Sequence, residues 1–262
     1  MTPPVKGCAR RRRSSALSDG PAMSITTGAW REVMASCYQG NTLPLFTFRA
    51  FSARSPERPM LTPLPSPTPH PTVTAKHLCW VPAGPSHSFS LGPGLHAVCG
   101  GEQRGKSSLL RVLAGQQAPL SGQLSVCAAS CWYAQTDAPA LDALIAQDWL
   151  SAEKARFGQW RSERVPVLAE ALGLREHLHK PFDMLSAGSR RKVGLLGAAA
   201  CGADLILLDG PYAALDLRSC RVVDELLREA ASSSGQIWVL ADYALPPGLD
   251  QASWGALIHL GN

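Results

Sequence analysis

Residues 100–107 read Gly100-Gly101-Glu102-Gln103-Arg104-Gly105-Lys106-Ser107 and fit the pattern GxxxxGK[ST]. The run follows the apolar stretch Leu95–Cys99 and opens a helical pattern over Ser107–Ala114, so the sequence predicts a strand, a loop and a helix in that order. Glycines let the chain wrap closely around an anion, and the N–H groups of the loop and of the helix N-terminus then point inward. The stretch therefore predicts a phosphate-binding loop on an α/β fold.

Two side chains of this loop are expected to have separate roles. Lys106 would reach the β- and γ-phosphates of a nucleotide, and Ser107 would offer its hydroxyl to Mg²⁺. A phosphate loop alone fits kinases, GTPases and many ATPases, so the rest of the chain must decide between these classes. The nucleotide-binding residues predicted for the loop are Gly100, Gly101, Glu102, Gln103, Arg104, Gly105, Lys106, Ser107 and Ser108.

Outward from the loop, short apolar strands alternate with helical segments from about residue 73 onward. Leu205–Leu208 and Ile237–Leu240 are candidates for buried strands, and Arg218–Ala231 carries an apolar stripe at helical spacing. The segment between Leu141 and Leu178 is helical in pattern and richer in charge. Such alternation predicts an α/β domain with a mostly parallel sheet.

Charge is unevenly spread along the chain. Residues 1–72 contain nine of the 25 Lys and Arg residues and three of the 20 Asp and Glu residues. The rest of the chain therefore contains 16 basic and 17 acidic residues. A nearly neutral domain presents no nucleic-acid-binding face, so no nucleic-acid partner is expected. The eight cysteines lack zinc-site spacing and indicate reduced, mostly buried thiols, and no apolar run is long enough to cross a membrane.

Residues 1–72 are predicted to be a poorly structured Arg- and Pro-rich extension. Arg10–Arg13 form a basic run, and prolines at every second position from Pro63 to Pro71 favour extended polyproline conformation over helix or strand. Three further interpretations stay open for this segment: translation that starts later, for instance at Met60, an organellar transit peptide, and a functional basic arm.

Three later stretches resemble the motifs of ATP-binding-cassette (ABC) ATPases. Leu185–Val193 reads LSAGSRRKV and resembles the signature, commonly LSGGQ followed by basic residues. Leu205–Asp209 resembles the Walker B strand with its magnesium-associated aspartate, and Ala214–Asp216 resembles the D-loop. This ordered set covers roughly residues 73–262, and it looks somewhat like the small ATP-binding subunits of haem exporters in cytochrome c maturation.

The resemblance implies a P-loop cassette that binds ATP and Mg²⁺. Its fold would have a mostly parallel sheet, an antiparallel β element and a helical subdomain over about residues 138–184. By this resemblance Gln135 would be the Q-loop glutamine. Ser107, Gln135 and Asp209 would hold the metal, and Gln135 and Asp209 would also take part in catalysis. Trp80 would stack on adenine, although a tryptophan at a strand end is as often a core residue.

The resemblance also implies partners and a location. Two cassettes would close head to tail over two ATP molecules, and Ser186 and Gly188 would contact the γ-phosphate bound by the other cassette. The second cassette could be a copy of this chain or a different one. A separate membrane permease would complete the transporter, with this chain in the cytoplasm, peripheral on the inner face of the membrane.

Four positions depart from the family pattern. Gly210 follows Asp209, where the family has the glutamate that polarises the attacking water, and a glycine cannot act as a base. Asp242 or Tyr243 stands where the switch histidine is expected. Gln103 and Ser189 replace a typical loop glycine and the signature glutamine, which are milder changes. The sequence therefore predicts an ATP-binding subunit of an ABC transporter with impaired hydrolysis, or alternatively a non-enzymatic cassette that regulates or supports another cassette.

Overall fold

The computed structural model describes residues 70–261. The predicted extension lies outside these residues except for its last three positions, and the first strand begins at Thr72. No helix in the described part of the chain has the length and apolar character needed to cross a bilayer.

The strands and helices are β1 (Thr72–Cys79), β2 (His87–Leu91), β3 (Gly94–Cys99), α1 (Lys106–Leu113), β4 (Ser121–Cys127), β5 (Cys131–Tyr133), α2 (Ala146–Arg156), α3 (Arg164–Ala171), α4 (Ala187–Ala200), β6 (Leu205–Asp209), α5 (Leu217–Ala231), β7 (Ile237–Asp242) and β8 (Trp254–His259).

A parallel sheet with the strand order β5-β6-β7-β3-β8 forms the centre of the fold. β3 is buried along its whole length, and β6 and β7 are buried up to their last residue, because helices and a second sheet cover both faces. The predicted strands and the helix after the phosphate loop are present, with ends within two residues of the predicted ones. The predicted fold class is confirmed.

A second sheet, with the antiparallel order β2-β1-β4, packs on one side of the parallel sheet. Its buried residues, among them Val73 and Leu91, share one apolar cluster with Leu109 and Leu110 of α1 and with Val239 of β7. The sheet therefore covers α1 and holds it against the central strands. This is the antiparallel element that the family resemblance implied.

The other side of the parallel sheet is covered by α4, α5 and the helical segment between β5 and α4. That segment contains α2, α3 and two short 3-10 turns, Pro139–Leu141 and Phe182–Met184. An aromatic cluster joins it to the sheet, since the Trp132 ring of β5 lies within 6.4 Å of the rings of Trp149, Phe157 and Trp160.

Glu153 is a buried charge within this helical segment. Its side chain is shielded from solvent, Oε2 pairs with Arg156 at 2.6 Å, and Oε1 has no hydrogen-bond partner. Burial raises the pKa of Glu153 to about 7, and the positive charge of Arg156 only partly opposes this rise. The folded chain therefore holds a proton here at pH values where the unfolded chain has lost it.

In the Glu153→Gln variant, the free energy of unfolding is expected to stay constant over the pH range where that of the wild type falls. Because the pKa is higher in the folded state, the wild-type free energy of unfolding falls between about pH 4.5 and pH 7 and stays low above it. At pH 8 the variant should exceed the wild type by about 3 kcal/mol, and at pH 4.5 the two should be close. Urea unfolding at both pH values measures this, with the exposed Glu176→Gln as control. Parallel pH dependence of wild type and Glu153→Gln would contradict the prediction.

Candidate functional site

The predicted phosphate loop connects β3 to α1 and is held in shape by its own lysine. Lys106 Nζ donates hydrogen bonds to the carbonyls of Gly100 at 2.7 Å and Gly101 at 2.6 Å. Gly105 precedes α1 with a φ of 88°, and a Cβ there would lie 2.3 Å from Cγ2 of Val81. Only glycine fits this turn, which brings the backbone of the loop close to any bound anion.

The loop surrounds the N-terminus of α1, where positive potential concentrates. The first N–H groups of a helix have no acceptors within the helix, and no acidic residue occupies the first turn of α1. Glu102, Gln103 and Arg104 form the exposed rim of the loop, and Ser107 and Ser108 lie in the first turn. The arrangement fits phosphate groups, which are negatively charged acceptors.

Trp80 lies beneath the loop at the end of β1. Its side chain is only 4% exposed, Nε1 donates to the Gly105 carbonyl at 2.9 Å, and its ring lies 5.1 Å from that of His87. The hydrogen bond to Gly105 holds the end of the phosphate loop against β1. Trp80 also lines a cavity of about 350 Å³ beside the loop, and stacking of its ring on adenine stays a prediction.

The metal residues predicted from separate motifs meet in one cavity of about 650 Å³. Ser107 comes from α1, Gln135 follows β5, and Asp209 ends β6, and all three line this cavity together with Gly210. They are neighbours because β5 and β6 are adjacent and parallel, so both strands end at the same edge of the sheet. A hydroxyl, an amide and a carboxylate are oxygen donors that suit Mg²⁺, so this group of residues fits the ion that the family uses.

Tyr133, which no sequence motif indicated, connects two of these residues. Tyr133 Oη donates to Asp209 Oδ2 at 3.2 Å and accepts a hydrogen bond from Gln135 Nε2 at 3.4 Å. Burial and the negative charge of Asp209 raise the pKa of Tyr133 to about 12. Strand periodicity could have indicated Tyr133, because it lies two positions before Gln135 and side chains two positions apart in an extended chain share a face.

The residue after Asp209 contributes no side chain to the cavity. Gly210 has a φ of 52°, its N–H donates to the Ala241 carbonyl at 2.8 Å, and a Cβ placed on it would meet no atom within 4 Å. There is thus room for a larger residue, although its backbone would lie in the left-handed region.

Of the two candidates for the switch position, Asp242 lies nearer the loop. It ends β7 in register with Cys99, the residue before the loop, and burial together with the charge of Asp242 raises the pKa of the Cys99 thiol. Tyr243 is 65% exposed, and its N–H bonds to Asp242 Oδ1. The structure therefore places a carboxylate at the base of the phosphate loop.

The signature residues lie at the N-terminus of α4. Ser186 caps this helix, since its Oγ accepts a hydrogen bond from the Ser189 N–H at 3.1 Å. Gly188 packs on the D-loop so closely that a Cβ would lie 2.3 Å from the Ala214 carbonyl oxygen. Neither Ser186 nor Gly188 lines the two cavities described above, and Ala187 between them lines the larger one.

Basic residues after the signature hold the D-loop and the residue before it, contacts that the sequence did not indicate. Arg191 donates to the Ala213 carbonyl at 2.7 Å, and Lys192 Nζ lies 2.7 Å from Asp216 Oδ2. The hydrogen bonds from Lys192 and Ser219 hold the pKa of Asp216 well below its usual range. Asp216 also caps α5, so the signature helix and the D-loop form one connected unit.

Comparisons with known proteins indicate the same family as the sequence motifs do. A family model described as ABC transporter matches residues 86–213. The cytochrome c biogenesis ATP-binding export protein CcmA of Cupriavidus pinatubonensis is 35% identical over 190 residues, which cover 68% of this chain and 81% of that protein. The protein of the same name from Brucella abortus is 31% identical over 187 residues, which cover 67% and 82%.

Solved structures show the same fold. An ATP-binding subunit of an ABC transporter superposes with a TM-score of 0.53 at 19% identity, covering 66% of this chain and 80% of that one. An ATP-binding protein from Pyrococcus furiosus, assigned to the ABC transporters, superposes with a TM-score of 0.55 at 17% identity, covering 72% and 97%. By its motifs, fold and relatives, the chain belongs to the ATP-binding subunits of ABC transporters.

Proposed function

We propose that this chain binds Mg-ATP at its own phosphate loop and hydrolyses it slowly or not at all. One observation carries the proposal: Gly210 lines the cavity beside Asp209, at the place where a catalytic carboxylate would stand. Binding and hydrolysis depend on different groups, so the loss of one need not abolish the other.

Binding would use groups that the structure brings together. Lys106 and the N–H groups around α1 would hold the phosphates, and Ser107, Gln135 and Asp209 would hold Mg²⁺. The bound ion would neutralise charge on the phosphate oxygens. Trp80 would keep the loop in its phosphate-binding shape through the hydrogen bond to Gly105.

Hydrolysis would lack a base for the attacking water. Among the described residues that line the cavity, the carboxylates are Asp209, assigned to the metal, and Asp137, on the exposed loop after Gln135. Asp242 at the base of the phosphate loop would repel the charge that develops on the γ-phosphate. Loss of a general base commonly costs about 10²–10⁴-fold in rate.

The signature favours a role in completing another cassette's site. Ser186 caps α4, and the N–H groups at the start of this helix would face a γ-phosphate held by a second cassette. Beside a complete cassette, this chain would supply a competent signature while its own site holds ATP.

Gly210 and Asp242 also favour a second candidate function, a non-enzymatic cassette that regulates or supports its partner. A homodimer would have two deficient sites.

The transporter setting is proposed from the relatives. Because they are named export proteins of cytochrome c biogenesis, we propose an export ATPase of that kind, docked on a membrane permease from the cytoplasmic side. Residues 73–262 would form the ATP-binding domain, with a helical subdomain over about 138–184 and the remainder as an extension.

The Gly210→Glu variant is expected to raise phosphate release at least about 10-fold over a near-zero wild-type rate. There is room for the side chain, while the left-handed backbone costs about 1–2 kcal/mol in stability. Phosphate release and Mg-ATP binding are measured side by side on the full chain.

Gly210→Gln is the matched control, because glutamine has nearly the same shape and backbone strain but cannot take a proton. Rescue by glutamate and not by glutamine supports a missing base. Rapid release by the unmodified chain, abolished in Lys106→Ala, would show that another residue supplies the base and would refute impaired hydrolysis.

A further inference from the structure

Tyr133 forms a hydrogen-bonded connection between the Walker B aspartate and the Q-loop glutamine. Its hydroxyl donates to Asp209 and accepts from Gln135, at 3.2 Å and 3.4 Å. We infer that Tyr133 is a positioning residue that orients the Asp209 carboxylate toward Mg²⁺ and transmits the state of the metal site to Gln135. This inference rests on the proposed binding of Mg-ATP.

The sheet geometry fixes the position of the Tyr133 hydroxyl. Tyr133 of β5 pairs in register with Leu207 of β6, and Asp209 lies two residues further along β6. Positions two apart on a strand share a face, so the phenol extends along that face toward the carboxylate. The ring is 5% exposed and belongs to the apolar cluster of Leu205, Leu207 and α1, which leaves it little freedom to turn.

The hydrogen bond constrains how Asp209 can bind a cation. With Oδ2 engaged by the phenol, the carboxylate is held in one orientation and Oδ1 is left for the metal or its water. Groups that orient a metal ligand in this way commonly contribute 10–100-fold to metal affinity. Gln135 donates to the same hydroxyl, so a change at Asp209 reaches the exposed Gln135 through a single side chain.

The Tyr133→Phe variant of the full chain tests this role, because phenylalanine fills the same space and removes both hydrogen bonds. ATP binding is measured by calorimetry over a range of Mg²⁺ concentrations and in excess EDTA. We expect the Mg²⁺ concentration for half-maximal tightening of ATP binding to rise about 10-fold or more. Affinity in EDTA should stay within about twofold of the wild type, because the phosphate loop is unchanged.

Tyr212→Phe is the matched control. Its hydroxyl also donates to a carboxylate, Asp224 Oδ1 at 2.5 Å, but that pair does not line the cavity. Loss of a phenol hydrogen bond alone would lower stability in both variants and leave the Mg²⁺ requirement unchanged. An unchanged Mg²⁺ requirement in folded Tyr133→Phe overturns the inference and leaves the proposed function intact.

A double-mutant cycle with Gln135→Leu tests the connection itself. Gln135 is exposed, so its replacement leaves the core packing in place. Because Gln135 would also hold Mg²⁺, Gln135→Leu should raise the Mg²⁺ requirement by itself. If Tyr133 couples the two sites, the double variant should need less Mg²⁺ than the two single effects combined predict, whereas additive effects overturn the coupling. Absence of Mg²⁺-dependent ATP binding by the unmodified chain would overturn the proposed function, and this inference with it.

Discussion

Replacing Lys106 by alanine should weaken Mg-ATP binding by about 100-fold or more. Hydrogen bonds to a charged group contribute about 1.5–3 kcal/mol each, and Lys106 would make such contacts with two phosphates. Every 1.4 kcal/mol is about tenfold in affinity, so two contacts account for the expected loss. The ammonium group lies 2.7 Å from the Gly100 carbonyl oxygen, which holds it at the loop where the phosphates would bind. Calorimetric titration of the full chain measures the change.

The control variant, Lys76→Ala, also removes a lysine charge, but outside the phosphate loop. Lys76 is an exposed lysine on β1, and Lys76→Ala should bind Mg-ATP as the wild type does. Thermal unfolding without nucleotide shows whether Lys106→Ala also loosens the loop that it holds together. Unchanged affinity in a stable Lys106→Ala variant would mean that the nucleotide binds elsewhere, and the proposed site would be wrong.

Replacing Gly197 by alanine should lower the free energy of unfolding by about 3 kcal/mol, although alanine is the better helix former. A Cβ on Gly197 would lie 2.1 Å from Cη2 of Trp132. The indole cannot yield easily, because Trp132 is 2% exposed and packs against Trp149, Phe157 and Trp160. For a domain of this size the melting temperature should fall by roughly 6–12 °C, as measured by calorimetry.

Gly194 in the same helix is the matched control. A Cβ there would lie 3.2 Å from Cγ2 of Thr136, a contact that a small movement relieves. Gly194→Ala should therefore change stability by less than about 1 kcal/mol, since helix propensity offsets the tighter contact. Equal melting temperatures for the wild type and Gly197→Ala would show that the aromatic cluster is more adaptable than its packing indicates.

Local sequence patterns predicted the phosphate loop and the central strands and helices of the fold. The pattern of Gly100–Ser107 predicts a strand before it and a helix after it, and the apolar runs before Asp209 and Asp242 favour buried strands. Short-range periodicity sets these elements, so they could be predicted without knowing their neighbours. The sequence likewise shows that residue 210 has no side chain, whereas the expectation of a catalytic base at this position comes from the family resemblance.

Only the tertiary structure decided how these elements meet. Tyr133 touches Asp209 because two strands 76 positions apart in the chain are adjacent and in register. The fit of Gly188 on Ala214 likewise joins segments whose spacing carries no periodic signal. The family resemblance implies that Trp80 stacks on adenine, with a core position as the alternative, and the structure adds a hydrogen bond from its indole N–H to the Gly105 carbonyl, 25 residues away. Residue order along the chain specifies the local elements, and long-range packing sets the partners of each polar group.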